Sequence, residues 1–111
     1  MSTEKHGRGV IASLYVHADL IKRGYQVFTE DTGQGLIDLV AVHLTTGETR
    51  YIDVKCISRR ANGTMVNRPL KENQKQFEES SGLTIEFVYA DTETYEIRYP
   101  TRRNKTKKIA A

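Results

Sequence analysis

The sequence predicts a single α/β domain whose elements run α-β-β-β-α-β-β, and three observations lead to that order. Residues 9–23 carry apolar side chains at three- and four-residue spacing, the period of a helix with one buried face. Two aliphatic, β-branched runs flank a Thr46-Gly47 turn signal, the pattern of a hairpin. A second helical segment behind Pro69 then separates this hairpin from two further short strands. With 111 residues, 38% of them hydrophobic, the chain can close one modest core.

In the first helix, Ile11, Leu14, Ala18 and Ile21 form the stripe expected to be buried. Lys22 and Arg23 complement the dipole in the last turn, and Gly24 suits the position just past the end. Tyr25 to Thr29 reads as a short strand, and Glu30-Asp31-Thr32-Gly33-Gln34-Gly35 as a polar loop punctuated by glycine. Strands over 36–42 and 50–58 pair around the turn at 43–49. Residues 59–67 are polar and basic, carry an Asn62-Gly63 turn signal, and are expected to form a mobile loop. A helix over 69–80 follows, with Pro69 tolerated in its first turn. Strands over 83–89 and 94–99 complete a domain spanning 1–100. The basic segment 101–111 has too little apolar content to pack and is expected to be a disordered tail unless it binds something.

Composition narrows the function classes. No apolar run approaches bilayer length, and Met1 to His6 lacks the apolar stretch of a signal peptide, so no membrane role is expected. One cysteine permits no internal disulfide, which points to an intracellular, reducing setting. The net charge of +3 is small but unevenly placed, with Arg59-Arg60 and Arg102-Arg103-Asn104-Lys105-Thr106-Lys107-Lys108 holding much of it. Such clusters suit a nucleic-acid backbone, because each neutralised phosphate releases condensed counterions. They suit a solubilising tail equally well.

The hairpin carries the chemistry. Side chains alternate along a strand, so Ile52, Val54 and Cys56 share an apolar face while Asp53 and Lys55 point together to the other. In the partner run 36–42 the only charged residue is Asp38, and antiparallel pairing places it opposite or diagonal to residues 53–55. Two carboxylates and an ammonium then converge on one patch. Two aspartates offer hard oxygen ligands to Mg²⁺ and leave sites for water and a phosphate oxygen. A lysine beside them can orient the attacking water and offset transition-state charge. The plainer reading is a surface cross-strand ion pair. Asp38 argues against it, since a lone aspartate in an aliphatic strand is unfavourable without a reason.

These residues resemble the PD-(D/E)xK nuclease superfamily, and within it the small Holliday-junction-resolvase-like and phage- or intron-encoded endonucleases. The resemblance rests on Gly35-Leu36-Ile37-Asp38-Leu39-Val40, on Tyr51-Ile52-Asp53-Val54-Lys55, and on the preceding helix ending Leu20-Ile21-Lys22-Arg23-Gly24-Tyr25-Gln26-Val27. It implies a restriction-endonuclease-like fold, a mixed central sheet flanked by helices. It also implies Mg²⁺-dependent cleavage of DNA phosphodiester bonds, with Mn²⁺ able to substitute, by a homodimer or higher homo-oligomer. Asp38 and Asp53 would bind the metal, the Val54 carbonyl would complete the coordination, and Lys55 would act on the water. Gln74 matches a glutamine that many members carry on the next helix. It lies between Leu70 and Phe77, either at the edge of an apolar stripe or within it, where a polar side chain needs a buried partner. Arg59, Arg60, Arg102, Arg103 and Lys105 are the expected DNA contacts.

Two departures bear on activity. Ile37 stands where many members have proline. Many resolvase-like members also have a glutamate on the first helix, four residues after a glycine, whereas Gly9 here leads to Ser13. Glu30 or a neighbouring subunit could supply the missing carboxylate. Three outcomes stay open: a site-specific endonuclease, a junction resolvase, and a non-catalytic DNA-binding member. A structural or interaction domain is the rival from outside this class. Cys56 is expected to pack in the core, and His6, His17 and His43 lack metal-ligand spacing. Gly33-Gln34-Gly35 opens no helix, so its expected role is to turn the chain into the Asp38 strand.

Overall fold

A computed structural model describes residues 2–100, with side chains from Gly7 onward. The elements are α1 (Ser2–Lys22), β1 (Tyr25–Thr29), β2 (Leu39–His43), β3 (Thr49–Cys56), α2 (Glu72–Ser81), β4 (Ile85–Ala90) and β5 (Ile97–Arg98). The strands form one mixed sheet in sequential order. The β1–β2, β2–β3 and β4–β5 pairs are antiparallel, and β3–β4 is parallel. A parallel pair needs a crossover, and the segment containing α2 supplies it. The expected class and element order are both observed. Among the described residues no helix is long and apolar enough to cross a membrane.

Strand alternation divides the core into two layers. Leu39, Ala41, Ile52, Val88 and Ala90 face α1, with Val54 and Cys56 packed beside them. Ile57, Ile85, Phe87 and Tyr89 face the other way, against Ile37, Met65, Leu70 and Phe77. The opposite faces of β3 therefore do different work, and Asp53 and Lys55 lie on the α2 side.

The first helix docks by a different stripe from the one expected. Ala12, Val16 and Leu20 are buried, whereas Ile11, Leu14 and Ile21 are 40%, 59% and 55% exposed. Between Val10 and Ile21 the helix is apolar on nearly every side, so periodicity alone does not select a face. The row at i, i+4, i+8 is led by a small alanine, which lets the helix backbone come close to the sheet. The helix also begins at Ser2 instead of residue 9.

Three other boundaries move for local reasons. Pro69 lies outside α2, which starts where its cap forms: the Lys71 N–H donates to Gln74 Oε1 at 3.0 Å and the Gln74 N–H to the Lys71 carbonyl at 3.0 Å. Gly82, with φ of 77°, ends the helix by donating to the Glu78 carbonyl. The last strand shrinks to two residues because Asp91 Oδ1 organises a turn and Tyr95 enters the left-handed region at φ 67°. The segment expected to be a mobile loop closes as a small hairpin. Arg59 bridges Met65, and Arg60 N–H bonds the Thr64 carbonyl at 2.8 Å.

At the sheet end near the C-terminus of α1, a polar cluster locks helix to strands. Arg50 pairs with Glu86 at 2.6 Å, Tyr99 donates to Asp19 at 2.6 Å, and Arg23 joins the same carboxylate at 2.7 Å. A second group of charged side chains, Asp38, Asp53 and Lys55, lies where β2 begins.

Candidate active site

Asp38 sits one residue before β2, not within it as expected, yet its backbone is held on both sides. The Glu30 N–H donates to the Asp38 carbonyl at 2.9 Å, and the Asp38 N–H donates to the Ile52 carbonyl at 2.8 Å. The ladder pairs Leu39 with Ile52, so the strand slips by one residue at Asp38, as in a β-bulge. Bulges re-aim side chains next to sites. Here Asp38 Oδ2 accepts the Val54 N–H at 2.8 Å, a backbone group lying beyond the start of the β2 ladder. The N–H and C=O of a strand residue point to the same side, so the Val54 carbonyl is aimed toward Asp38 as well.

Asp53 reaches the same patch from β3. It is 9% exposed, and Gln74, 3% exposed, donates its Nε2 to Asp53 Oδ2 at 2.7 Å. The other Nε2 hydrogen goes to the Leu36 carbonyl at 3.2 Å, while Oε1 takes the Lys71 N–H. The whole amide is thus committed, which fixes its orientation and pins Asp53 to α2. Lys55 Nζ stands 3.6 Å from Asp53 Oδ2 and lies over the Phe87 ring, 5.0 Å from its centroid. The four side chains share a hollow of about 330 Å³ with Gly33, Gln34, Gly35, Leu36, Lys71 and Asn73.

Two carboxylates on one patch resist simultaneous ionisation. Burial, and after it the adjacent Asp53 carboxyl, pushes Asp38 up to about 6, against the pull of the Val54 N–H and Lys55. A divalent cation would satisfy this arrangement. The donor set of two carboxylates and one backbone carbonyl is hard and oxygen-only, which matches Mg²⁺. Among the described residues no group of three His, Cys, Asp or Glu side chains could hold an ion, so water and phosphate would fill the remaining positions.

Other residues singled out in the sequence divide into near and far. Ser13 and His17 line a second hollow of about 580 Å³, between α1 and the loop after β1, whose wall also includes Asp38 and Glu30. Ser13 and Asp38 thus face one hollow from α1 and from the start of β2. Glu30 is tied into its own loop: it accepts from Thr32 Oγ1 at 2.5 Å, Thr32 N–H at 3.0 Å and Gly33 N–H at 2.5 Å. The Thr32 hydroxyl and these amides hold it below the usual carboxylate range. A Cβ on Gly35 would stand 2.7 Å from Glu30 Cγ, so this knot depends on that glycine.

The expected DNA-contacting arginines are not brought to the hollow. Arg59 pairs with Glu96 at 3.1 Å and Asp91 at 3.9 Å, and Arg60 donates to the Met65 carbonyl at 3.1 Å. Acidic side chains in the β4–β5 turn capture Arg59, a pairing between distant segments that sequence order does not reveal. Arg102, Arg103 and Lys105 lie outside the described residues. Cys56 packs against the α1-side core, its Sγ 3.6 Å from the Arg8 carbonyl.

Sequence reasoning missed Lys71 and Asn73, and it set aside the Gly33–Gly35 loop that forms part of the rim. The signal was available: once Gln74 is assigned to Asp53, residues in the same helical turn must border the site. Comparison of the chain with family models, with curated proteins and with solved structures returned no match.

Proposed function

We propose that this chain is a Mg²⁺-dependent endodeoxyribonuclease of the PD-(D/E)xK type. One observation carries the reading: Asp38 and Asp53 converge beside Lys55 in an open hollow, with Gln74 fixing Asp53 from behind. Surface ion pairs need no bulge to aim them and no buried amide to hold them. Asp38, Asp53 and the Val54 carbonyl would hold the metal, which when bound supplies charge neutralisation and an acidified water. Lys55 orients the attacking water and offsets negative charge on the phosphoryl group. Mn²⁺ serves in place of Mg²⁺ because the ligands are all oxygens.

The element order supports the same reading, since the mixed sheet with a helix before β1 and another between β3 and β4 is what the resemblance implies. A homodimer or higher homo-oligomer fits a domain this small acting on two DNA strands. The outward-facing Val10, Leu14 and Ile21 of α1 offer apolar surface for such assembly.

The decisive experiment incubates the full chain with supercoiled, linear and four-way-junction DNA, in Mg²⁺ and in EDTA. Metal-dependent cleavage is expected. Symmetric nicking of the junction alone would mark a resolvase, and discrete duplex products a site-specific enzyme. Ser13 favours one competing reading, a non-catalytic DNA-binding member, because α1 brings no carboxylate to the wall it lines and the Glu30 carboxylate on that wall is tied into its own loop. Binding of all three substrates without cleavage would support that reading against ours.

Ser13 also provides a direct metal test. Ser13→Glu places an anionic oxygen on the wall shared with Asp38, and tighter binding of Mg²⁺ or Mn²⁺ is expected by calorimetric titration. Unchanged affinity would show that the α1 side of Asp38 does not face the ion.

A further inference from the structure

The hollow has a cationic wall that the Asp38, Asp53 and Lys55 chemistry leaves unused. Lys71 and Asn73, at the start of α2, line it together with the Gly33–Gly35 loop. The backbone of Lys71 is consumed by the helix cap: its N–H binds Gln74 Oε1, and its carbonyl accepts the N–H groups of Gln74 and Lys75. Its side chain is exposed and has no carboxylate within ion-pair distance among the described residues. Lys55, the other lysine on the wall, is engaged with Asp53. Two lysines balance two aspartates among the lining side chains, so even without an ion the hollow carries no net negative charge to repel a phosphate at its outer wall.

We infer that Lys71 and Asn73 grip a backbone phosphate of duplex DNA next to the one that is cut. The inference rests on the nuclease reading and adds to it the surface along which the strand runs. It also moves the backbone contact from Arg59, which is already paired, to the first turn of α2. Lys71 contributes a charge that displaces counterions. Asn73 contributes a neutral donor that does not.

That difference gives the two residues separate signatures. In EDTA, anisotropy titrations of a labelled duplex with the full chain are run at several KCl concentrations. Lys71→Ala should lower the slope of log K against log salt by about 0.9, the loss of one phosphate contact. Asn73→Ala should weaken binding with the slope unchanged. Lys22→Ala, in the last turn of α1 and outside this wall, should leave the slope as it was. Melting temperatures should match in all variants, since the cap uses the Lys71 backbone. A wild-type slope in Lys71→Ala, an equal fall in Lys22→Ala, or no duplex binding by the wild type would overturn the inference. Wild-type binding with the expected Lys71 signature, but without Mg²⁺-dependent cleavage, would uphold the contact and defeat the nuclease reading alone.

Discussion

Asp38→Ala and Asp53→Ala are each expected to abolish Mg²⁺-dependent DNA cleavage, and Lys55→Ala to reduce it by at least about 100-fold. Among the described residues the two aspartates are the only carboxylates lining the hollow, so loss of either would halve the anionic ligand set of a metal held there. The fold should survive. Asp38→Ala releases one backbone bond to the Val54 N–H, a cost of about 1 kcal/mol. Asp53→Asn retains the shape of the side chain beside Gln74 and separates loss of charge from loss of packing. DNA affinity offers a second readout. Removing a negative charge from the hollow lessens repulsion of phosphate, so both variants should bind duplex at least as tightly as the wild type while failing to cut it. Gel assays of cleavage and anisotropy measurements on the same preparations would show the pattern. Undiminished cleavage by either aspartate variant would remove the proposed site.

Much of this site was legible in the sequence because strand alternation is a strict rule. Ile52, Val54 and Cys56 against Asp53 and Lys55 fixes which residues share a face, and the hairpin turn brings Asp38 close without knowledge of the fold. Gln74 was half-readable: between Leu70 and Phe77 a polar residue sits either at the edge of the stripe or within it with a buried partner, and the structure shows the second. What was not legible depended on choices among equivalent patterns or on distant pairing. The first helix has two apolar stripes, and only the shape of the sheet beneath it selects Ala12, Val16 and Leu20. Arg59 looked free because Asp91 and Glu96 follow it by more than 30 residues, and only the β4–β5 turn brings them together. Lys71 and Asn73 carried no motif of their own. Their place became readable only through their neighbour Gln74.

Gln74 is also where the fold and the proposed chemistry are most tightly joined, so its replacement should affect both. Gln74→Ala deletes the donor to Asp53 Oδ2 and the acceptor of the Lys71 N–H, and it empties a site that is nearly fully buried. Loss of this hydrogen bond to a buried carboxylate alone costs about 2 kcal/mol, and for a domain of this size that lowers the melting temperature by roughly 10 °C. Cleavage should fall by about 10- to 100-fold, the usual effect of losing a group that orients a metal ligand. A purely structural glutamine would reduce the amount of folded protein but leave the rate per folded molecule unchanged. The discriminating measurement is therefore the Mg²⁺ dependence of cleavage well below the melting temperature. If Gln74 positions Asp53, the variant should need more Mg²⁺ to reach half-maximal rate, and excess metal should recover part of the loss. Gln74→Glu sharpens the contrast, because a second carboxylate against Asp53 replaces a donor with a repelling charge while keeping the side-chain length. It should cut more slowly than the wild type at every metal concentration. If both variants keep the wild-type Mg²⁺ requirement, Gln74 only holds α2 to the sheet, and Asp53 must owe its position to the strand alone.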